Sequence, residues 1–304
     1  VKVWIPHSQG LPLLTPHLPA DVAVEVFTPR TGPPSDPATV GFWVPPFLAT
    51  AEAAGELAGM PGLRVIQLLT AGFDVWLGRV PDGVVLCHGQ GIHTSATAEW
   101  VLTAILGHLR DFPRFARAQD RRHWDYTFTG ELAGKRVLII GAGDIGEAVA
   151  ARLAPFQVEI LKAARRARPG VHPAERVPDL LPRSDVVVLL VPLTETTRGM
   201  VDAEFLRRMP DGALLVNAAR GAVVDTSALT EELATGRIGA AMDVTDPEPL
   251  PRDHPLWSMP NLLLTPHVAA SVSGMLPRAY RLVAGQLRRC LAGEPLVNVV
   301  GGDY

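Results

Sequence analysis

The chain has 304 residues, of which 47% are apolar and 19% charged, with a formal net charge of -3; this describes a globular protein long enough for two domains. The near-neutral balance carries no electrostatic footprint for nucleic acid, apolar runs such as 186–191 fall far short of a membrane span, and the first residues lack the regions of a signal peptide. Cys87 and Cys290 have no metal-ligand spacing and are expected as reduced, partly buried thiols, so a cytoplasmic protein with small-molecule partners, no metal and no membrane attachment is expected.

In chain order, short strands are predicted at 1–5, 22–27, 41–44, 63–69 and 84–87, separated by Pro- and Gly-rich turns, with a helix over 50–58. This segment reads as a small α/β unit. Residues 94–109, with Ala98, Trp100, Val101, Leu102, Ala104, Ile105 and Leu106, are apolar nearly all round, which predicts a buried or dimer-forming helix. Strands at 137–140, 158–161, 185–191, 213–217, 239–244 and 261–264 alternate with helices that include 147–153, 203–209 and 226–234. That alternation predicts a doubly wound parallel sheet, whose functional groups sit at the strands' carboxyl ends. A last helix runs from Met275 through Leu291, with Pro277 tolerable near its start and Gly293 as its stop; it could return to pack on the first domain.

The sharpest signal lies behind the strand 137–140, where Gly141-Ala142-Gly143-Asp144-Ile145-Gly146 opens a helix. At a strand-to-helix junction the three glycines give a tight turn, close approach of backbone to a pyrophosphate and close helix packing. A glycine-rich turn that binds nothing is the alternative, and Asp144 is expected to cap the helix or stay in solvent. About 20 residues on, where NAD-binding units carry a carboxylate for the ribose hydroxyls, stand Ala164, Arg165, Arg166 and then Arg168. No carboxylate there repels a 2′-phosphate, and guanidinium forks suit phosphate oxygens. The reading is NADP, with NAD possible; a solvated basic loop is the alternative.

Three further segments end strands or closely follow them: Asn217-Ala218-Ala219-Arg220-Gly221, the Pro-rich run from Asp243 to Pro251 containing Glu248, and Thr265-Pro266-His267-Val268-Ala269-Ala270. An arginine can hold and polarise an α-keto acid, a histidine can pass the proton, and a glutamate can orient that histidine and stabilise its cation. Singly, each has a bland reading: a surface arginine, a solvated carboxylate, a satisfied loop histidine. His7, His17, His88, His93 and His123 lack such companions and are assigned structural or surface roles.

Together with Leu69-Thr70-Ala71-Gly72-Phe73-Asp74, Thr97-Ala98-Glu99-Trp100, and Val191-Pro192-Leu193-Thr194 followed by Thr197-Arg198-Gly199, these motifs resemble the D-isomer-specific 2-hydroxyacid dehydrogenase family over nearly the whole chain, in particular its glyoxylate/hydroxypyruvate reductase-like branch. The resemblance implies two doubly wound parallel-sheet domains, a Rossmann cofactor domain at 93–270 inserted in a smaller flavodoxin-like substrate domain at 1–92 and 271–304. It implies Arg220, Glu248 and His267 as the catalytic set. The cofactor would meet Gly141, Gly143, Asp144, Ile145, Gly146, Ala164, Arg165, Arg166, Val191, Pro192, Thr197, Ala218, Arg220, Asp243 and His267. The substrate would meet Arg220, His267 and the backbone amides of Ala71 and Gly72, in a cleft that excludes water by closing.

Hydride transfer between NADP(H) and a small 2-oxo or D-2-hydroxy acid, with glyoxylate or hydroxypyruvate leading, is therefore expected, in a homodimer. Pocket candidates are Val44-Pro45-Pro46-Phe47 and, from a partner subunit, Tyr126 or Phe128; packing is the alternative role for the aromatic ones. The chain departs from the family at Ala164 and Arg165, and at Gly89, where relatives often carry Asn. Two other readings stay open: a nicotinamide-sensing, corepressor-like binding protein, and a formate dehydrogenase-like enzyme. The intact trio argues against the first. The second generally carries Gln in place of Glu248 and has a longer N-terminal region.

Overall fold

The computed structural model describes residues 1–28, 32–47 and 51–301. Along the chain these form β1 (Lys2–Ile5), α1 (Leu11–Leu14), β2 (Ala23–Val26), β3 (Val40–Trp43), α2 (Ala51–Gly55), β4 (Val65–Gln67) and β5 (Val85–Cys87). Then come α3 (Thr94–Leu109), α4 (Phe112–Asp120), β6 (Arg136–Ile140), α5 (Asp144–Leu153), β7 (Glu159–Ala164), β8 (His172–Pro173), α6 (Val177–Leu180) and β9 (Val186–Leu189). The remainder is α7 (Ala203–Arg208), β10 (Leu214–Asn217), α8 (Thr226–Ala234), β11 (Gly239–Met242), β12 (Leu262–Leu264) and α9 (Met275–Ala292). Two compact units result, Val1–His93 with Val272–Tyr304, and Thr94–Ser271. No helix among the described residues is long and apolar enough to cross a membrane.

The first unit is a five-stranded sheet in the order β2-β1-β3-β4-β5, every pair parallel. This is the flavodoxin-like order. Because successive residues of a strand face opposite sides, Val3, Ile5, Phe42 and Val65 pack with Tyr280, Val283 and Leu287 of α9, while Trp4, Trp43 and Ile66 pack with Leu57 and Trp76 on the other side. Both faces are buried, which is why these strands read as continuous apolar runs rather than alternating ones. The helix expected over 50–58 is α2 followed by a 3-10 turn, Glu56–Gly59; Thr50 lies outside the described residues. Gly293 ends α9 in the left-handed region, φ 68°, a conformation glycine adopts without the Cβ penalty.

The second unit is a seven-stranded sheet, β12-β11-β10-β9-β6-β7-β8, again parallel throughout. Strand order reverses at β6 and β9, the switch point where doubly wound sheets bind ligands. One face packs against Phe205, Leu206, Leu229 and Leu233 of α7 and α8. The other packs against Ala98, Val101 and Ile105 of α3 and Val149 and Leu153 of α5. Helix α3 is less uniformly covered than its composition predicts: Glu99 and Thr103 are exposed.

Candidate active site

The glycine segment folds as its spacing demands. Gly141 has φ 110°, and a Cβ there would lie 2.5 Å from the Leu190 carbonyl, so the turn packs directly on the segment leaving β9. A Cβ at Gly146 would lie 2.1 Å from the Gly141 carbonyl oxygen, which holds α5 tight against the turn. At the second glycine of the motif, Gly143, no side chain caps α5. The helix's first amides are thus offered at its N-terminus, where backbone donors and the helix dipole favour an anion. This cradle fits the pyrophosphate of a dinucleotide. Asp144 does not cap α5; its carboxylate accepts a hydrogen bond from the Thr94 hydroxyl, joining the first turns of α3 and α5.

Ala164 ends β7, half-buried, and Arg165 and Arg166 follow it exposed. Arg168 reaches back over the glycine turn: its guanidinium donates to the Ala142 carbonyl and lies 3.5 Å from Glu147. Glu147 also takes both oxygens to Lys162 Nζ at 2.8 and 3.0 Å. Beyond β9, Val191 and Pro192 lie in a loop that Thr197 closes by donating from Oγ1 to the Pro192 carbonyl at 2.6 Å while accepting from the Thr194 amide at 2.8 Å.

The catalytic candidates sit on loops leaving three adjacent strands. Asn217 pairs in register with Met242, and Met242 with Leu264, so the segments carrying Arg220, Asp243 to Glu248, and His267 start side by side. Ala218 follows β10, half-buried. Asn217, fully buried, shapes the turn after it, donating to the Arg220 carbonyl at 3.0 Å and accepting from the Ala219 amide at 2.9 Å. Arg220 Nη1 donates to the Ala219 carbonyl at 2.7 Å. At Gly221 a Cβ would stand 1.9 Å from the Thr245 carbonyl oxygen; only glycine lets the Arg220 turn seat against the next loop.

Glu248, between the cis Asp246–Pro247 and cis Glu248–Pro249 bonds, places Oε1 2.6 Å from His267 Nδ1. A carboxylate only accepts, so Nδ1 carries the hydrogen and Nε2 is left to exchange a proton. With side-chain exposures of 30% for His267 and 43% for Glu248, solvent screens the Coulombic attraction, and orientation of the ring is the larger gain.

His267 has φ 53°, a left-handed conformation that costs a non-glycine residue about 1–2 kcal/mol. Asp243, 2% exposed, compensates: its backbone carbonyl accepts from the His267 amide at 2.7 Å, and its carboxylate from the Val268 and Ala269 amides at 2.8 and 2.9 Å and from Thr265 Oγ1 at 2.6 Å. Trp100 Nε1 in turn donates to Thr265 Oγ1 at 3.1 Å. Sequence reasoning singled out neither Thr265 nor Asn217, because a threonine or asparagine at a strand end reads as local turn chemistry.

In the first unit, Ala71 and Gly72 form a half-buried turn after β4. Thr70 Oγ1 donates to the Gly72 carbonyl at 2.7 Å, the Gly89 amide donates to the Thr70 carbonyl at 2.6 Å, and His93 Nε2 bonds the Leu69 carbonyl at 2.6 Å. A Cβ at Gly89 would lie 2.8 Å from the Leu69 carbonyl, so an asparagine cannot enter here without moving this turn. Val44 and Pro45 are buried and Phe47 half-buried, whereas in the second unit Tyr126 and Phe128 are 80% and 91% exposed.

A doubly wound dinucleotide fold carrying a histidine oriented by a glutamate, with an arginine on a loop of the same sheet, suits a nicotinamide-dependent oxidoreductase, and the chain belongs to the D-isomer specific 2-hydroxyacid dehydrogenases, whose NAD binding domain model matches residues 102–269. Glyoxylate reductase of Thermofilum pendens is 38% identical over 77% of this chain and 74% of its own length. D-3-phosphoglycerate dehydrogenase of Mycobacterium bovis is 35% identical over 84% of this chain but only 50% of its own length. Among solved structures, an NADPH-dependent glyoxylate/hydroxypyruvate reductase from Sinorhizobium meliloti, in complex with NADP and sulfate, superposes with a TM-score of 0.84 at 27% identity, covering 98% of both chains.

Proposed function

We propose that this protein reduces a small 2-oxo acid, glyoxylate or hydroxypyruvate, to the D-2-hydroxy acid with NADPH as the preferred donor. The observation that carries the chemistry is the 2.6 Å contact between His267 Nδ1 and Glu248, which leaves Nε2 as the proton-donating atom. When bound, the nicotinamide supplies the hydride. Protonated His267 delivers its proton to the substrate's carbonyl oxygen, and Glu248 keeps the ring in the required orientation and stabilises its cation. Arg220 holds the substrate carboxylate and polarises the carbonyl.

The turn Gly141 to Gly146 would hold the cofactor's pyrophosphate, Arg165 and Arg166 its 2′-phosphate, and Val191, Pro192, Thr197, Ala218 and Asp243 its nicotinamide half. The substrate assignment is supported by the two reductases among the relatives, and NADP use by the lack of a carboxylate at Ala164. A homodimer belongs to the same reading, supported by the exposure of Phe112, Trp124, Tyr126 and Phe128, between 64% and 92%. The free thiols Cys87 and Cys290 fit a reducing, cytoplasmic location.

Steady-state NADPH oxidation across glyoxylate, hydroxypyruvate, pyruvate and 3-phosphohydroxypyruvate tests this reading. The highest kcat/KM is expected with one of the first two. A clear preference for the phosphorylated acid would move the protein to the phosphoglycerate dehydrogenase side of the family.

A further inference from the structure

We infer that Trp100 and Thr265 are positioning residues for His267, acting through a one-way hydrogen-bond chain that ends on the Asp243 carboxylate; the inference rests on the reading of His267 as the proton donor. The sequence places Asp243 one residue beyond β11 and Thr265 one residue beyond β12, and these strands are paired in parallel with Met242 opposite Leu264. The two side chains therefore leave neighbouring strands at the same level. Three consecutive amides, those of His267, Val268 and Ala269, converge on Asp243, the first on its backbone carbonyl and the others on its two carboxylate oxygens. A left-handed residue followed by amides wrapped about an acceptor is a backbone nest. The φ of 53° at His267 is part of it, so the imidazole's position follows from where the Asp243 carboxylate is held.

What fixes that carboxylate from the other side is Thr265. Its hydroxyl has a single proton, given to Asp243 Oδ1 at 2.6 Å. The direction is dictated by Trp100, because an indole N–H can only donate; at 3.1 Å it occupies a lone pair of Thr265 Oγ1 and leaves the hydroxyl proton for Asp243. Without the Thr265 hydroxyl, the carboxylate keeps only the Val268 and Ala269 amides, both from the nest itself, and nothing outside the nest holds it in place. The nest then loosens, and the His267 ring shifts relative to its target. A displacement of about 1 Å in a reacting group costs as much as ~100-fold in rate. Trp100 stands on α3, outside the loops that bear Arg220, Glu248 and His267, so the chain ties the proton donor to the helical layer beneath it.

A threonine that merely satisfies a buried carboxylate would affect stability alike whether or not His267 is present. A mutant cycle separates the two roles. Thr265→Val is expected to lower kcat by about tenfold or more, Thr265→Ser to restore most of the loss, and Trp100→Phe to give a smaller loss that does not add to that of Thr265→Val. In a His267→Ala background, Thr265→Val should leave the residual rate unchanged. Equal losses in the two backgrounds, or wild-type kcat in folded Thr265→Val, would overturn this inference alone. Wild-type turnover in His267→Ala itself would overturn the reading of His267 and this inference with it. Should Thr265→Val fail to fold, Trp100→Phe carries the same cycle with the same outcomes.

Discussion

The two ends of the site on the seven-stranded sheet are built from different materials. At the glycine turn between β6 and α5 the backbone makes the site: Gly141 and Gly146 permit contacts that any Cβ would block, and the helix start offers its amides without a side-chain cap. At the loops after β10, β11 and β12 side chains make it. There Glu248 holds His267, Asp243 holds the backbone around it, and Asn217 shapes the Arg220 turn. A backbone site tolerates change in most side chains but not in its glycines. A side-chain site depends on partners one and two contacts removed from the reacting atoms. The two ends should therefore fail separately.

The largest separation is expected from His267→Ala. Removing a general acid typically costs 10²–10⁴-fold in turnover, while fluorescence titration of dinucleotide should stay near wild type because the phosphate end has lost nothing. Glu248→Gln, which keeps a hydrogen-bond acceptor near Nδ1 but removes its charge, should fall less far. Turnover close to wild type in His267→Ala would sink the acid assignment. Loss of dinucleotide binding in the same variant would show that the two ends are one structural unit after all.

Arg220→Lys is the next test. Lysine keeps the charge but replaces a planar fork by a point donor, and a hydrogen bond to a charged group contributes roughly 1.5–3 kcal/mol. A drop of about tenfold or more in kcat/KM for the 2-oxo acid is expected, with KM rising and kcat falling together and the dinucleotide affinity held. Unchanged kinetics would return Arg220 to a purely structural role, holding its own turn through the Ala219 carbonyl.

The same contrast explains what could be seen in the sequence. The glycine turn was legible because a backbone site leaves its mark as glycines at fixed spacing between a strand and a helix. The pairing of Glu248 with His267, seen at 2.6 Å, was legible as residue types suited to one another, aided by the family resemblance. The strand pattern was legible because both sheets are buried on both faces. Helix α4 was not: Phe112, Phe115 and Ala118 recur at helical spacing, but the stretch is short and otherwise polar, only Ala118 is buried in it, and Pro113 reads as a break although it is tolerated in the first turn. The Trp100, Thr265 and Asp243 chain was not legible either. Trp100 fits an apolar helix and Thr265 a turn, and their meeting across 165 positions is fixed only once α3 packs on the sheet. The shape of the Ala71 and Gly72 turn, set by contacts to Gly89 and His93, is likewise a product of tertiary packing.

The smallest expected effect is confined to the phosphate end, where the proposed cofactor preference rests on the residues after β7. Ala164 presents no carboxylate to a 2′-phosphate, and Arg165 and Arg166 are exposed beside it; Arg168 is already turned back onto the Ala142 carbonyl and Glu147, so it stiffens the glycine turn rather than joining them. One guanidinium bonded to the phosphate contributes roughly 1.5–3 kcal/mol, which corresponds to about a tenfold preference for NADPH or more. Ala164→Asp combined with Arg165→Ala and Arg166→Ala should erase that preference by lowering NADPH affinity far more than NADH affinity, and should leave turnover with saturating cofactor nearly intact because no group at the histidine end has changed. In wild type the preference should also weaken at high salt, as the exposed charge contacts are screened. Titrating both cofactors against both proteins at low and high ionic strength checks each part: equal wild-type affinities, or a preference for NADH, would make the arginines a solvated loop, and a fall in saturated turnover would show that the phosphate end reaches the chemistry.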